Sequence, residues 1–558
     1  MLTLEPVDHL FKPIFPNVDP VLQISYFLVV ACYVVFRIGR RGCNFILSTL
    51  SYIVHVTSLR GGISNHLSQY DQKLVSDFVS DVRVPTEHFN IEGKHTIYAI
   101  CPNPMCHRSH KPAFLPGNPI PQYPSHCNHS PFPGEVCNEI LLRSKKIGNH
   151  TISVPIKSFI YFDFKDWLAN LLSRPGFEEK MDKAWKGHLG TRGNGEMQDI
   201  FDGSILQDFV GADGKQFGAS TTVSEYVFSL NVDFFNPNGN KAAGKSVSCG
   251  IIAMVCLNLP PELRYQPENM YLAGIIPGPH EPPTACINHY LHPLVDDLLD
   301  FWSPGVHFSR TQKFCNGRTV FCALAALVCD LPASRKVAGF ASHSHNFFCS
   351  LCYRTLSELH GNEKKNIPAD HRPSRRRGNI DCRKHAEKWR NAMDAEAAMN
   401  IFDEAGLRWS ELLRLPYFDP SRFVVVDAMH NLFLGLINFH FFQLLGYRNP
   451  AKKKPEPPKA SYPFSFSDGW KDLSEPNQKS FQKLRNYLES PIENELETNS
   501  SKLRSRLMTC NAPPLSFACE DLKLIPPKPK DEKLRKKAYY VDILITWVCL
   551  LKHATTSR

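Results

Sequence analysis

The most constraining feature of the sequence is a series of apolar segments between residues 224 and 358. Four of these segments are rich in Val, Ile, Leu and aromatic residues, end at turn residues and are therefore predicted strands: 225–232, 247–257, 270–276 and 319–329. Between the third and the fourth, residues 287–302 carry apolar side chains at helical spacing. The order strand, strand, strand, helix, strand predicts an ordered α/β core.

Acidic residues follow two of these strands. Asp233 comes after the first predicted strand and Asp330 after the fourth. In an RNase H-like sheet these strands are neighbours, so carboxylates at their ends converge and can hold Mg²⁺ or Mn²⁺. Two such ions activate a water or a 3′-hydroxyl and stabilise the leaving oxygen of a phosphodiester. The pattern alone leaves open that both aspartates only begin turns after their strands.

A second feature is a module rich in Cys, His and Pro at residues 96–145. It contains four cysteines that are candidate metal ligands: Cys101, Cys106, Cys127 and Cys137. Four thiolates in two pairs suit a closed tetrahedral Zn²⁺ site with a structural role. The alternative is that these cysteines are incidental.

A separate Cys-x-x-Cys pair, Cys349 and Cys352, follows Asp330. Such a pair is half of a zinc site or a redox pair. Four histidines are candidates to complete a zinc site here: His343, His345, His430 and His440. Each of these histidines, taken alone, is also compatible with an ordinary structural position.

Composition and segment character divide the rest of the chain. Hydrophobic residues make up 43% and charged residues 21%, which excludes a mostly disordered chain, a collagen and a coiled-coil rod. The predicted divisions are a loose N-terminus, a helical segment, the cysteine module, a large core with a basic insertion, and a linker with a small helical end: 1–20, 21–95, 96–145, 150–450 and 451–558.

Two further stretches bear on possible partners. Residues 21–36 form an uncharged run of 16 residues. Because a membrane span needs about 20 apolar residues, a buried helical pair with residues 45–56 is predicted in preference to a membrane anchor.

The net charge of +10 is compatible with an anionic partner. Basic residues concentrate at 361–390, where a solvated loop and a phosphate-binding loop are both open.

Several long strings resemble the fungal (basidiomycete) branch of the CACTA-type, or En/Spm-like, transposases. They are collinear from about residue 21 to about residue 450, with a weaker patch at 515–548. The strings are YPSHCNHSPFPGEVCNEILL, FIYFDFKDWLANLLSRPGFEE, YVFSLNVDFFNPNGNKAAGKSVSCGIIAMVCLNLPPELRYQPENMYLAGIIPGPHEP, LVCDLPASRKVAGFASHSHNFFCSLC and RWSELLRLPYFDPSRFVVVDAMHNLFLGL. Residues 21–56 resemble a helical segment of this family rather than a membrane anchor.

The resemblance implies a DDE/D transposase with an RNase H-like mixed-sheet catalytic core, an N-terminal helical segment and a zinc-binding module. Asp233 matches the first catalytic carboxylate and Asp330 the second. Asp427, at the end of a fifth predicted strand at 422–426, is the candidate third acid. The same position also suits a cap for the helix predicted at 428–443.

The resemblance also implies ligands and partners. Cys349 and Cys352 look like a zinc knuckle that follows the second aspartate, with His430 and then His440 as candidate return ligands. Mg²⁺ or Mn²⁺ is expected to be catalytic and Zn²⁺ structural, and the module at 96–145 is expected to serve DNA binding. The implied activity is cutting and joining of transposon-end DNA. Its expected partners are double-stranded terminal repeats and target DNA, and the expected setting is a nuclear homo-oligomer without a membrane.

Two alternatives accompany this expectation. Members of the family usually continue past the segment that resembles 515–548, so a C-terminally truncated member is one expectation. The other is a non-catalytic, zinc-dependent DNA-binding protein derived from a transposase. Such a protein shares zinc and DNA binding with the enzyme but does not cleave DNA, so Asp330→Ala would leave its activity unchanged.

Overall fold

The computed structural model describes most of the chain and separates it into two compact units. The described residues are 3–11, 18–61, 67–89, 91, 93–148, 150–186, 188, 197–238, 247–360, 374–447, 466–489, 500–526 and 534–556. The units are Met1–Leu436 and Ile437–Arg558. Each unit has its own hydrophobic core.

The first unit contains a large mixed sheet and a small two-stranded sheet. Its strands are β1 (Thr3–Glu5), β2 (His95–Ile100), β3 (Ser109–His110), β4 (Leu142–Ile147), β5 (His150–Pro155), β6 (Lys157–Phe162), β7 (Ser224–Phe235), β8 (Cys249–Cys256), β9 (Met270–Ile276), β10 (Val306–Phe308), β11 (Arg318–Cys329) and β12 (Val424–Val426). The large sheet has the order β1-β10-β11-β7-β8-β9-β6-β2-β3, and β12 also pairs with β11. Strands β4 and β5 pair separately.

Several helices contact strands of the large sheet. The first unit contains α1 (Pro20–Val34), α2 (Arg40–Gly61), α3 (Gln69–Ser76), α4 (Arg83–His88), α5 (Phe164–Ser173), α6 (Phe177–Lys183), α7 (Ser204–Gln207), α8 (Pro261–Arg264), α9 (Asn288–Trp302), α10 (Leu331–Ala338), α11 (Leu356–His360), α12 (Asn379–Arg390), α13 (Ala395–Ala405) and α14 (Pro420–Phe423). The predicted mixed α/β class is confirmed.

The core of the first unit forms where α9 packs against β11. Leu291, Val295 and Leu298 follow one another at helical spacing and are fully buried. Strands β7 and β11 lie inside the sheet, which explains their nearly continuous apolar sequences. Burying each large apolar side chain contributes about 1.5–3 kcal/mol, so this helix–sheet contact fixes the position of both strands.

The N-terminal helices differ from the predicted buried pair. Helices α1 and α2 share a small core to which Tyr26, Val29 and Leu47 contribute. Their other sides are open, with Ile24 70% and Phe45 72% exposed. By length and composition alone, the stretch Arg40–Leu59 is apolar enough to cross a membrane. Core helices of soluble proteins pass the same test, so this property alone is weak evidence for a membrane span.

Two predicted segments differ in the structure. Residues 3–5, predicted to be loose, form β1 and pair with β10. The helix predicted at 428–443 is wound as wider π-type turns over Ala428–Ile437 and Phe439–Leu444.

The second unit also contains α15 (Glu475–Glu489), α16 (Ser500–Met508), α17 (Ala512–Asp521) and α18 (Lys537–Thr556). The predicted linker at 451–465 lies outside the described residues.

Candidate functional site

Three adjacent strands place three aspartates at one level. Strand β11 runs parallel to β7, with Leu230 beside Leu327. It also runs parallel to β12, in the same sequence offset, with Cys329 beside Val426. Continuing these two registers places Asp330 between its neighbours Asp233 and Asp427. Because adjacent strands lie about 4.8 Å apart, the three aspartates stand side by side along one edge of the sheet, called here the carboxylate edge.

Contacts between β7 and β11 hold this register just before the aspartates. The Val232 N–H donates to Cys329 Sγ at 3.1 Å, and Asn231 Nδ2 donates to the Val328 carbonyl at 2.8 Å. Burial raises the pKa of the Cys329 thiol to about 12, and nearby Asp330 contributes to that increase. The neutral thiol therefore serves as a buried link between the two strands.

Each aspartate is oriented by different local contacts. Asp233 lies inside β7, which extends beyond the predicted strand, and it is exposed opposite Ile251 of β8. Asp330 caps α10, because its Oδ1 accepts the Ala333 N–H at 2.8 Å. The Asp427 Oδ1 accepts the backbone N–H two residues further along at 2.9 Å. Asp330 and Asp427 therefore use one oxygen each for a local hydrogen bond.

The charges of all three aspartates act on His430. Its Nδ1 contacts Asp427 Oδ2. This hydrogen bond raises the pKa of His430, burial opposes the increase, and the charges of Asp427, Asp330 and Asp233 add to it. Burial acts to raise the pKa of Asp427, but the His430 contact and backbone N–H groups lower it overall. His430 thus responds to all three acidic side chains.

The four cysteines of the module come together as predicted from their types. The ligand atoms of Cys101, Cys106, Cys127 and Cys137 all lie within 4.8 Å of one another. The Cys101 and Cys137 sulfurs are 3.6 Å apart, and the Cys106 and Cys127 sulfurs are 3.7 Å apart. Tetrahedral Zn²⁺, with Zn–S bonds of about 2.3 Å, sets its sulfurs about 3.8 Å apart. Donor type and spacing therefore fit a metal such as zinc.

Backbone geometry shapes this cluster. In three of the four loops, the N–H two residues after the cysteine donates to its sulfur; these donors are Asn103, Arg108 and Glu139. His107 and Asn138, which directly follow Cys106 and Cys137, have φ angles of 51° and 52°. This left-handed conformation turns the chain back toward the sulfurs.

Burial makes the cluster dependent on a cation. It raises the pKa of Cys106 to about 12 and also raises the pKa of Cys101. Burial acts in the same direction on Cys137, but the Glu139 N–H and the neighbouring thiols lower its pKa overall. Four thiolates cannot coexist in this space without a positive charge, so the thiolate form requires a bound metal.

The cysteine module is built into the large sheet. Cys101 directly follows β2, which pairs with β6 and β3. His107 Nδ1 lies 2.9 Å from the Tyr290 hydroxyl, and Ser109 Oγ donates to the His289 carbonyl at 2.9 Å. Both partners belong to α9. The module is therefore fixed to the core, and strands β8, β9 and β6 separate it from β7 and the carboxylate edge.

The Cys349–Cys352 pair lies in a loop held by Arg377. Arg377 Nε donates to the carbonyls of Cys349 and Cys352 at 3.0 and 3.2 Å. Among the described residues, only the 101–137 cluster gathers three or more potential ligand atoms within 4.8 Å. His343, His345 and His430 are therefore not gathered around this pair, and His440 belongs to the second unit. The second zinc site stays a prediction.

The basic stretch contains structural arginines. Arg377 is only 4% exposed. Arg383 donates to the carbonyls of Leu413 and Phe418, both at 2.7 Å. Neither guanidinium is free for DNA in this arrangement. Residues 361–373, which carry other candidate phosphate contacts, lie outside the described residues.

Comparison with known proteins identifies one family match. Residues 213–398 match the model of the transposase family tnp2. This span includes Asp233, Asp330, Cys349 and Cys352. The match supports a transposase family and a transposase-derived protein, and it suggests DNA binding. No curated protein matches the chain.

Proposed function

We propose that this transposase-derived chain is a DNA transposase of the DDE/D type, and that Asp233, Asp330 and Asp427 are its catalytic carboxylates. The observation that supports the proposal is the parallel register of β7, β11 and β12, whose continuation brings these three residues side by side. Carboxylate oxygens are the ligands that Mg²⁺ prefers. The donor chemistry of this edge therefore suits the metals of phosphodiester cleavage.

The strand order supports an RNase H-like core. Strands β7, β8 and β9 form an antiparallel series. Helix α9 then leads by way of β10 to β11, which returns parallel to β7, and β12 adds parallel to β11 on its other side. In this arrangement the first and fourth predicted core strands, β7 and β11, are neighbours, as they are in an RNase H-like sheet.

The residues of the carboxylate edge have distinct roles in the proposed reaction. Asp233, Asp330 and Asp427 would hold Mg²⁺ or Mn²⁺, which would supply activation of a water or a 3′-hydroxyl and stabilisation of the leaving oxygen. Asp330 directly follows the middle strand, β11, so it stands next to both Asp233 and Asp427 along the edge. Its cap on α10 fixes its orientation, and His430 orients Asp427.

The finer features of the proposal follow from the sequence resemblance. The chain is a CACTA-type, En/Spm-like transposase that acts in the nucleus as a homo-oligomer on double-stranded terminal repeats and target DNA. Zinc bound at 101–137 would be structural. The contacts of the cysteine module with α9 favour a role in stabilising the end of the large sheet formed by β2 and β3. By the same resemblance, Cys349 and Cys352 would contribute two ligands to a second structural zinc site.

Nicking of supercoiled plasmid DNA by the full chain in Mn²⁺ tests the proposal. We expect nicking by the wild type and loss of nicking in Asp233→Ala and Asp330→Ala. The matched control is Asp468→Ala, because the Asp468 carboxylate is 83% exposed and, among the described residues, forms an ion pair with neighbouring Lys471 alone. Equal nicking by all variants would show a contaminating nuclease and would refute the assignment.

One observation favours the non-catalytic alternative. Asp427 is engaged by a nearby backbone N–H and by His430, as expected for a helix cap rather than for a metal ligand. If Asp427 has only this role, the edge contains two carboxylates. A folded, zinc-containing wild type that binds DNA but does not nick it would support this alternative.

A further inference from the structure

A cavity of about 520 Å³ opens at the carboxylate edge. Asp233 and Asp330 line it together with two arginines, Arg335 and Arg408. Carboxylates that suit a divalent cation and guanidinium groups that suit an anion thus share one space. A ligand that pairs with the guanidinium groups while a cation occupies the carboxylates must carry negative charge in addition to that of the reacting phosphodiester.

Other cations at this cavity already have protein partners. Lys336 Nζ pairs with Glu281 at 3.0 Å. Arg408 Nη2 donates to the Phe340 carbonyl at 3.0 Å, and its guanidinium lies 4.4 Å from the centre of the Phe402 ring. These contacts fix the two side chains as part of the cavity wall.

Arg335 differs from both. Its guanidinium makes no hydrogen bond or ion pair with another described residue. Its Nε is buried without a partner, as is the Nε of Arg408. Arg335 belongs to α10, the eight-residue helix that Asp330 caps. The free guanidinium and the central carboxylate are therefore held by one short rigid element. A partly buried cation without a partner is costly, and an incoming anion recovers that cost.

We propose that this cavity binds one unpaired nucleotide of a DNA strand next to the reacting phosphodiester, and that Arg335 pairs with the phosphate of that nucleotide. The proposal rests on the proposed function and deepens it. The volume falls within the range of about 300–1,000 Å³ of small-ligand pockets. It can enclose a nucleotide but not a double helix. The planar guanidinium matches a phosphate through two parallel hydrogen bonds.

Equilibrium binding of two fluorescein-labelled DNAs to the full chain tests the proposal. One is a blunt duplex, and the other is the same duplex with a single-stranded 3′ tail. Fluorescence anisotropy is measured in Ca²⁺, which takes oxygen ligands as Mg²⁺ does. We expect the wild type to prefer the tailed DNA, and Arg335→Gln to lose that preference through an affinity decrease of about tenfold, or about 1.4 kcal/mol.

Two further variants keep the result interpretable. Arg335→Lys retains the charge and should restore part of the preference, which shows that the site still folds. Arg390→Gln is the matched control, because its guanidinium lies over the Trp409 ring at 4.3 Å rather than in the cavity wall. This control should bind both DNAs as the wild type does.

The outcomes separate the two proposals. A tail preference that survives in Arg335→Gln overturns the nucleotide site, and so does an equal loss of affinity for both DNAs. If Arg335→Gln removes the preference but the wild type does not nick plasmid, the nucleotide site stands and the proposed activity fails. If nicking occurs without any tail preference, the activity stands and the nucleotide site fails.

Discussion

Acidification should release metal from the four-cysteine cluster with a steep pH dependence. A bound thiolate has lost the proton that a free thiol keeps at any pH below its pKa, so affinity for the metal falls as the pH falls. Burial raises the pKa of Cys106 to about 12 and raises that of Cys101 as well. At neutral pH, metal binding must therefore displace at least these two protons.

Two released protons set the magnitude. Affinity for Zn²⁺ should change by about 100-fold between about pH 6.5 and about pH 7.5, because each released proton contributes about tenfold per pH unit. Cys137 contributes less to this pH dependence, since its pKa is lowered in the folded chain. Competition with a coloured zinc chelator at several pH values measures this slope on the full-length protein.

A matched pair of variants locates the effect. Cys106→Ser removes one ligand and should abolish tight binding at this cluster. Cys315→Ser removes an exposed cysteine outside the cluster and should leave both affinity and slope unchanged. A wild-type slope of one proton or fewer would refute the four-thiolate cluster, and so would a Cys106→Ser protein that binds zinc like the wild type.

Three further predictions concern the carboxylate edge and the core. Asp330→Asn and Asp330→Ala should both abolish nicking. The alanine variant also lacks the side-chain cap of α10, so its free energy of unfolding in urea should fall by about 1 kcal/mol, whereas asparagine can still cap the helix. Asp427→Asn should lower the pKa of His430 toward about 6.5, as NMR titration can measure. The ion pair of these two residues stabilises the fold below the ordinary histidine pKa, and this contribution is lost as the pH rises through the raised pKa of folded His430. Arg318→Met leaves the fully buried Glu178 without its cation and should cost about 3–5 kcal/mol in urea unfolding, with Glu178→Gln in the same chain recovering part.

Local sequence patterns predicted the central elements well. The predicted helix at 287–302 corresponds to α9 (Asn288–Trp302), because its apolar residues repeat at helical spacing. The predicted strands correspond to β7, β8, β9 and β11 for the same local reason. Strand order also brought Asp233 and Asp330 to adjacent strands, because parallel neighbours present their ends at the same edge of a sheet.

Long-range pairing was beyond local patterns. The sequence gives no periodic sign that β2 and β3 join β6 in the large sheet, so local patterns do not show how the cysteine module at 96–145 attaches to the core. Local sequence patterns do not single out Arg335, because the cavity that it lines is formed with Arg408, which is distant in sequence. The resemblance makes His430 a candidate zinc ligand, whereas in the structure its side chain pairs with Asp427, three residues before it.

Counting bound Mn²⁺ by electron paramagnetic resonance tests the central claim most directly. The wild-type chain should bind two Mn²⁺ ions at the carboxylate edge, as two-metal cleavage requires. Asp233→Asn, Asp330→Asn and Asp427→Asn should each remove at least one of these ions while the protein remains folded. Three variants that bind Mn²⁺ as the wild type does would contradict the assignment of this edge as the catalytic centre.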